Sequence, residues 1–510
     1  MTRDADTAAA APRRLIGALL AVVIVLGVLW SVDRALRRPF WFDEILTIAV
    51  SSQPGAAAIR QALASGADAS PPLFHFIEHA AGRMPIDRHI GYRLPSIVAF
   101  ALTVAGMFLF VRRRAGPVAG VLAVTITFTT QLFTLYAVEA RPYSMLVCAV
   151  MWGLVMWQRA DRGVSFVLGC AICLCLATSL HYYGVLIVLP LAGAELIRWI
   201  GAREVRPLVW VALASPLIPL AVSWPAASRI MAEYAPHFWA RPPVAGFLRV
   251  YDLFLDAGNW WGAAGAFVLI GSFATSLVQR LRDRTRRTDG VGVADDAVVI
   301  GLLALPPVTY LAAHLIGVGV TARYVLPTAL GLAAGIAFVS APSRRASWLL
   351  LAGFSGVVVL NALEERYVTA PRADAAVAGE AATLARLVRD AHQEGLPIAV
   401  SNGHTYLPLA FYRPRPDTRL VYLTSRDAAV RASGTDTMEL NLQHVAPLLS
   451  LDVQPLDGFT AAHDRFLVYA GTELWDWLPG TLAQRGFALQ RVADAPGRQQ
   501  LMLAERVRRE

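Results

Sequence analysis

The sequence predicts a polytopic α-helical membrane protein of about 11 transmembrane helices, followed by a small α/β soluble domain. Three observations lead there. Across 510 residues the composition is 56% hydrophobic and only 16% charged, with a mean hydropathy of +0.49; a soluble chain of that length needs more charge to cover its surface. Apolar runs close to bilayer length recur, with arginine clusters at their ends. From about Pro371 the composition becomes that of a soluble domain, with helix and strand patterns in alternation.

The first run, Leu15 to Val32, follows Arg13 and Arg14 and has no small-residue cleavage site, so it reads as an uncleaved first helix. Further spans are expected near 93–111, 117–136, 144–158, 164–180, 183–199, 207–224, 261–278, 297–316, 324–340 and 347–362. The formal net charge is +9 and every basic residue is arginine. These arginines cluster at span ends, which fits membrane topology and argues against a nucleic-acid partner. "RRR" at 112–114, "QRADR" at 158–162, "RWIGAREVR" at 198–206, "QRLRDRTRR" at 279–287 and "SRR" at 343–345 share the side of the N-terminus, which should be cytoplasmic. The opposite side then carries the first loop at 33–92, "EARPY", "HYYG", a loop near 225–258 and the C-terminal region. An inner (plasma) membrane protein with many passes follows, with residues 1–362 as the membrane domain and 363–510 as an extracytoplasmic α/β domain.

In the tail, "DAAVAGEAATLARLVRDAHQ" has helical periodicity, while "IAVSN", "RLVYLT" and "RFLVYA" read as short buried strands. "SNGHTY" at 401–406 reads as an ordinary strand-to-helix turn, since it lacks a full glycine fingerprint. The four cysteines, Cys148, Cys170, Cys173 and Cys175, lie inside apolar runs and read as packing residues.

Short basic loops on one side leave the chemistry to the other. There "FWFDE" brings Asp43 and Glu44 to the end of the first span, after Arg37 and Arg38. Those carboxylates could cap an interfacial helix or pair with the two arginines. "SPPLFHFIEHA" should start a short helix at its prolines and lie along the membrane surface. Its "HFIEH" matches H-x-x-E-H and puts His75 and His79 on one face, but a zinc site needs a third ligand that the sequence does not offer. "YAVEARPYSM" adds Glu139, Arg141 and Tyr143, "HYYG" adds His181 and Tyr182, and "TARYVLP" adds Arg323 and Tyr324. Glu139 and Arg141 could form a structural ion pair. Charged and aromatic groups gathered on one face favour an active cleft, because charge at that depth is costly unless paired or in an aqueous cavity.

Taken in order, "WFDE", "SPPLFHF", "YRLPSIVAF", "YAVEARPYSM", "HYYG" and "ARYVLP" resemble the GT-C superfamily of polytopic glycosyltransferases. The branch is similar to protein O-mannosyltransferases and the lipid A aminoarabinose transferase. The resemblance covers about residues 15–340 and leaves out the tail. It implies an inverting transfer from a polyprenyl-phosphate-linked sugar to a lipid, glycan or protein hydroxyl on the periplasmic face. By family analogy Asp43 is the base and Glu44 supports it. Arg141 and Arg323 would bind the leaving phosphate, with Arg37 and Arg38 as further candidates. Glu139, His181, Tyr182 and Tyr324 would line the donor pocket, with Tyr143 packing beside them. Some members of the superfamily use a divalent cation, and "HFIEH" keeps that question open. No other cofactor is implied. Competing classes are a multi-span transporter or lipid flippase, against which the lack of an internal repeat speaks, and a membrane metalloprotease built on "HFIEH".

Overall fold

A computed structural model describes residues 2–255, 261–282, 290–367, 371–413, 418–473 and 475–507. The basic run at 279–287 lies partly outside these residues. The chain forms two compact units. A helical unit comprises Met1–Ala35, Arg93–Pro225 and Arg241–Thr369, and a mixed unit comprises Leu36–Tyr92, Ala226–Ala240 and Ala370–Glu510. The first loop therefore groups with the tail.

Among the described residues, six helices are long and apolar enough to cross a membrane, and seven if one bent pair is a single span. Three shorter apolar helices, Tyr143–Trp157, Val164–Leu180 and Thr328–Ser340, accompany them. The 36-residue helix Leu94–Thr129 covers nearly all of the span expected at 93–111 and the first part of the one expected at 117–136, whose end is the separate helix Gln131–Tyr136. It breaks at Gly116, whose φ of 83° suits glycine, and restarts at Pro117. The bent pair, Gly292–Leu303 and Leu305–Ile316, turns by 48° where Pro306 and Pro307 open the second helix without N–H donors. Large apolar side chains such as Val222, Leu315 and Leu349 face outwards, as lipid-facing positions must.

One end of the helical unit carries charge in its interior. Arg206 pairs with Glu195, which also accepts from Trp157 Nε1 at 2.7 Å, and Arg206 donates to Asp161 at 2.9 Å. Arg114 lies 2.5 Å from the fully buried Asp296, and Gln158 donates to Asp295 at 3.0 Å. Part of the arginine at span ends is thus spent on buried carboxylates.

In the mixed unit six strands order as β3-β2-β1-β4-β6-β5. They are β1 (Ile398–Val400), β2 (Leu420–Thr424), β3 (Val453–Pro455), β4 (Arg465–Ala470), β5 (Phe487–Ala495) and β6 (Gln499–Arg506). The first four are parallel, and β5 and β6 add an antiparallel edge. Helices cover both faces, as parallel strands require. One core contains Ala399, Val421, Phe466 and Val468 with Leu456, Phe459 and Leu482. The other contains Val400, Tyr422, Leu467 and Leu442, and takes Phe40, Phe42, Ile45, Leu46 and Ile48 from the first loop.

Candidate active site

In the helical unit the turn "VEAR" links helix Gln131–Tyr136 to helix Tyr143–Trp157. Its geometry is set by a hydroxyl from another motif. Ser96, at the start of helix Leu94–Thr129, donates to the backbone oxygens of Glu139 at 2.6 Å and Arg141 at 3.2 Å, and Ser144 donates back to Ser96 O at 2.9 Å. "YRLPS" and "EARPYS" are therefore mechanically joined. Glu139 and Arg141 are both buried.

His181 leaves helix Val164–Leu180 in an extended conformation and opens the short 3₁₀ helix Tyr182–Ile187. Its Nδ1 accepts from the Tyr183 N–H at 3.3 Å, which assigns the proton of the neutral ring to Nε2. Only glycine fits at position 184, where a Cβ would stand 2.3 Å from the Ala177 carbonyl oxygen. Helix Val164–Leu180 and the His181 turn are thereby held close together.

These elements bring rings and guanidiniums together. Tyr143 lies 5.5 Å from His181 and 4.8 Å from Tyr136, and Tyr324 lies 4.9 Å from His181 and 4.7 Å from Tyr183. Arg323 sits over the Tyr143 ring at 5.5 Å and Arg141 at 5.9 Å. Tyr143 is thus the ring shared by both cations. A small cavity bordered by Tyr183, Leu186, Leu305, Thr309 and Tyr324 adjoins the cluster. Tyr136 and Tyr183 join it without having been singled out in the sequence. Tyr182, half-buried, begins the turn beside Tyr183. Two cations set against polarisable ring faces offer charge and planar donors to an anionic group.

Asp43, Glu44, Arg37, Arg38, His75 and His79 belong to the mixed unit. Helix Phe42–Ser51 carries both carboxylates in its first turn, where negative charge suits the helix dipole. Glu44 is buried and accepts from the Trp41 N–H at 3.2 Å, half of a capping box. Asp43 is half-buried on the same turn, Arg38 is half-buried and Arg37 exposed. His79 Nδ1 donates to Ser51 O at 2.7 Å, and His75 Nδ1 contacts Ser51 Oγ at 3.3 Å. His75 Nε2 is 3.8 Å from Asp68. Both histidines therefore fasten helix Pro72–Ala81 to the end of the helix that bears Asp43.

Among the described residues, no three His, Cys, Asp or Glu side chains form a set that could hold a metal ion. All four cysteines are free. "SNGHTY" is a capped strand-to-helix turn, in which Asn402 accepts from the His404 N–H at 2.9 Å.

No family model matches the sequence, and no curated protein matches it. Solved structures do. ArnT from Cupriavidus metallidurans in the apo state superposes with a TM-score of 0.55 at 15% identity, covering 95% of this chain and 97% of that one. The same protein bound to undecaprenyl phosphate superposes with a TM-score of 0.50 at 16% identity over the same shares. The chain has the ArnT fold. The match to ArnT extends into the tail, which the ordered motifs left uncovered.

Proposed function

We propose that this protein is an integral-membrane glycosyltransferase that moves a sugar from a polyprenyl-phosphate donor to a hydroxyl of a lipid, glycan or protein, on the extracytoplasmic face and with inversion. The observation that carries the reading is the pair of guanidiniums, Arg141 and Arg323, on the shared Tyr143 ring beside His181 and Tyr324. The ArnT structure with undecaprenyl phosphate supports a lipid phosphate as the anion concerned.

In a single displacement the acceptor oxygen bonds to the anomeric carbon while the bond from that carbon to the phosphate oxygen breaks. The electron pair leaves with the polyprenyl phosphate, and the hydroxyl proton passes to a carboxylate. Asp43 is assigned as that base. Glu44, committed to capping its helix, supports it by fixing the turn. Arg141 and Arg323 are assigned to the phosphate, where negative charge grows. A lipid phosphate is a good leaving group, so no strong general acid is needed. Glu139, His181, Tyr182 and Tyr324 are assigned to the donor pocket, and Arg37 and Arg38 remain candidates for further phosphate contact.

The test uses full-length protein reconstituted in lipid vesicles, with membranes from a strain lacking the gene as the source of donor and acceptor. Asp43→Asn should abolish the new glycan mass while undecaprenyl phosphate binding persists. Arg141→Ala and Arg323→Ala should each weaken that binding. Retained transfer in Asp43→Asn removes the base assignment, and unchanged binding in both arginine variants removes the phosphate assignment.

A further inference from the structure

Of the 15 residues of helix Tyr143–Trp157, only Cys148, Trp152 and Met156 reach the surface. Spaced four residues apart, they form one narrow stripe about 12 Å long. The helix packs against both helix Leu94–Thr129 and helix Val164–Leu180. Glycines bring these two neighbours close to the stripe. A Cβ at Gly106 would stand 2.8 Å from Met151 Cγ and 3.6 Å from Trp152 Nε1, and one at Gly169 would stand 3.2 Å from Met156 Cγ. Trp152 Nε1 also donates to the Leu102 backbone oxygen at 3.2 Å. Trp152 and Met156 therefore floor a shallow groove, whose exposed rims are apolar, at Val98 and Leu102 on one helix and at Leu168 and Ile172 on the other. An acyl chain is the flexible apolar body that packs along such a surface.

The groove leads to four arginines. Arg113 donates to the backbone oxygen of Gln158, the C-cap of helix Tyr143–Trp157. Arg159 follows and donates to Val155 O at 2.8 Å, and Arg162 is one turn on, its N–H bonded to Arg159 O at 2.9 Å. Arg112 adjoins Arg113, with its guanidinium over the Phe108 ring at 5.4 Å. Among the described residues none of the four forms an ion pair, while the carboxylates at this end are taken. Asp161 pairs with Arg198 and Arg206, Glu195 with Arg206 and Asp296 with Arg114, and Asp295 accepts from Gln158. Burial, and then the charges of Arg113, Arg162 and Arg112, lower the Arg159 pKa. Like charges gathered in this way repel, and an anion among them removes that cost.

We propose that the groove and its arginines bind an anionic glycerophospholipid of the surrounding membrane, with an acyl chain along Trp152 and Met156 and the phosphodiester at Arg112, Arg113, Arg159 and Arg162. Guanidiniums match phosphate oxygens through paired N–H donors. Basic groups between membrane helices favour anionic headgroups, since a zwitterionic lipid brings a further cation into the cluster. The site is separate from the donor cluster, because Tyr143 lies at the other end of the helix, about 20 Å away. A lipid bound there touches three helices at once and stabilises their packing by mass action.

The test uses full-length protein in detergent, with phosphatidylglycerol carrying brominated acyl chains added at low molar ratio. Native mass spectrometry counts the retained lipid, and bromine quenching of tryptophan fluorescence reports the groove. Wild type should retain phosphatidylglycerol in preference to phosphatidylcholine, melt at a higher temperature with it, and show quenching that falls in Trp152→Phe. Arg112→Gln combined with Arg162→Gln, both at exposed positions, should lower phosphatidylglycerol affinity roughly thirtyfold, or about fivefold for each charge removed. Undecaprenyl phosphate binding should stay unchanged in that variant. Arg112→Lys with Arg162→Lys, which keeps the charge, should recover most of the affinity. Equal retention of the two phospholipids, or unchanged affinity in the glutamine variant, overturns the proposal. Displacement of phosphatidylglycerol by undecaprenyl phosphate also overturns it, since the groove then belongs to the donor. Quenching that is undiminished in Trp152→Phe overturns the placement of the acyl chain. If the glutamine double variant melts early without lipid, Arg162→Gln alone is read by the same criteria, with a loss of about fivefold expected.

Discussion

Tyr143 is the residue on which the donor-site reading turns. In the sequence Tyr143 reads as a packing residue beside the donor pocket, yet both guanidiniums lie over its ring, at 5.5 and 5.9 Å. Tyr143→Ala removes that shared surface and should weaken undecaprenyl phosphate binding about tenfold, since a partly desolvated cation–π contact is worth about 1–2 kcal/mol. Tyr143→Phe keeps the ring and should stay within about threefold of wild type; a binding titration on the full-length protein checks both. The place of Tyr183 in "HYYG" is an equally local matter. The two tyrosines occupy one turn of 3₁₀ helix, in which neighbours point about 120° apart. Sequence fixes neither which tyrosine turns to His181 nor Tyr324, since that depends on how the turn is docked.

At the scale of elements, two buried acidic sites make separate predictions. In the tail, Glu439 accepts from Tyr422 at 3.1 Å and from Trp477 at 2.9 Å through one oxygen. Glu439→Ala strands both donors and should cost roughly 2–4 kcal/mol in unfolding free energy of the mixed unit. Burial raises the Glu439 pKa despite those hydrogen bonds. A carboxyl whose folded pKa lies above its unfolded value contributes stability at low pH and loses it as pH rises from about 4.5 through the folded pKa. Glu439→Gln, which can still accept from both donors, should therefore flatten that part of the stability profile and be no less stable than wild type at pH 7. Denaturant unfolding followed by Trp477 fluorescence measures both variants.

Within the helical unit the matching element is the Arg114–Asp296 pair, with Asp296 fully buried. Removing one partner leaves a charge in low dielectric, so Arg114→Gln should cost about 3 kcal/mol or more. The double change with Asp296→Asn should recover most of the loss, as read by thermal inactivation in detergent. In the sequence these arginines read only as topology markers. Asp296 lies far from Arg114 along the chain, so that pair became visible only once the helices were packed.

For the whole molecule, the distribution of the first loop matters most. Phe40, Phe42, Ile45 and Ile48 are core residues of the tail's sheet, although more than 300 residues separate them from its strands. A chain ending near residue 370 would expose that face. Its first loop should become sensitive to limited proteolysis around Phe42–Ser51, while the full-length chain resists cleavage there; gel mapping of the fragments decides it. The likeness to ArnT at 15% identity shows one fold held by two very different sequences. Membrane helices require apolar composition and helix breaks more than particular residues, so most positions can change without altering the path of the chain.

The sequence by itself determined the membrane class, most of the helical stretches, three of the six strands of the tail and the order of the motifs. Each of these depends on local composition or period, which neighbouring residues report directly. Only the tertiary structure decided that Ser96 locks the Glu139–Arg141 turn, that Tyr143 lies under two guanidiniums, that Glu44 is a cap and His75 and His79 are fasteners, and that the Phe42 ring meets His404. Those are contacts between segments distant in sequence. Their geometry is set by how helices and sheet pack, and no local pattern encodes it.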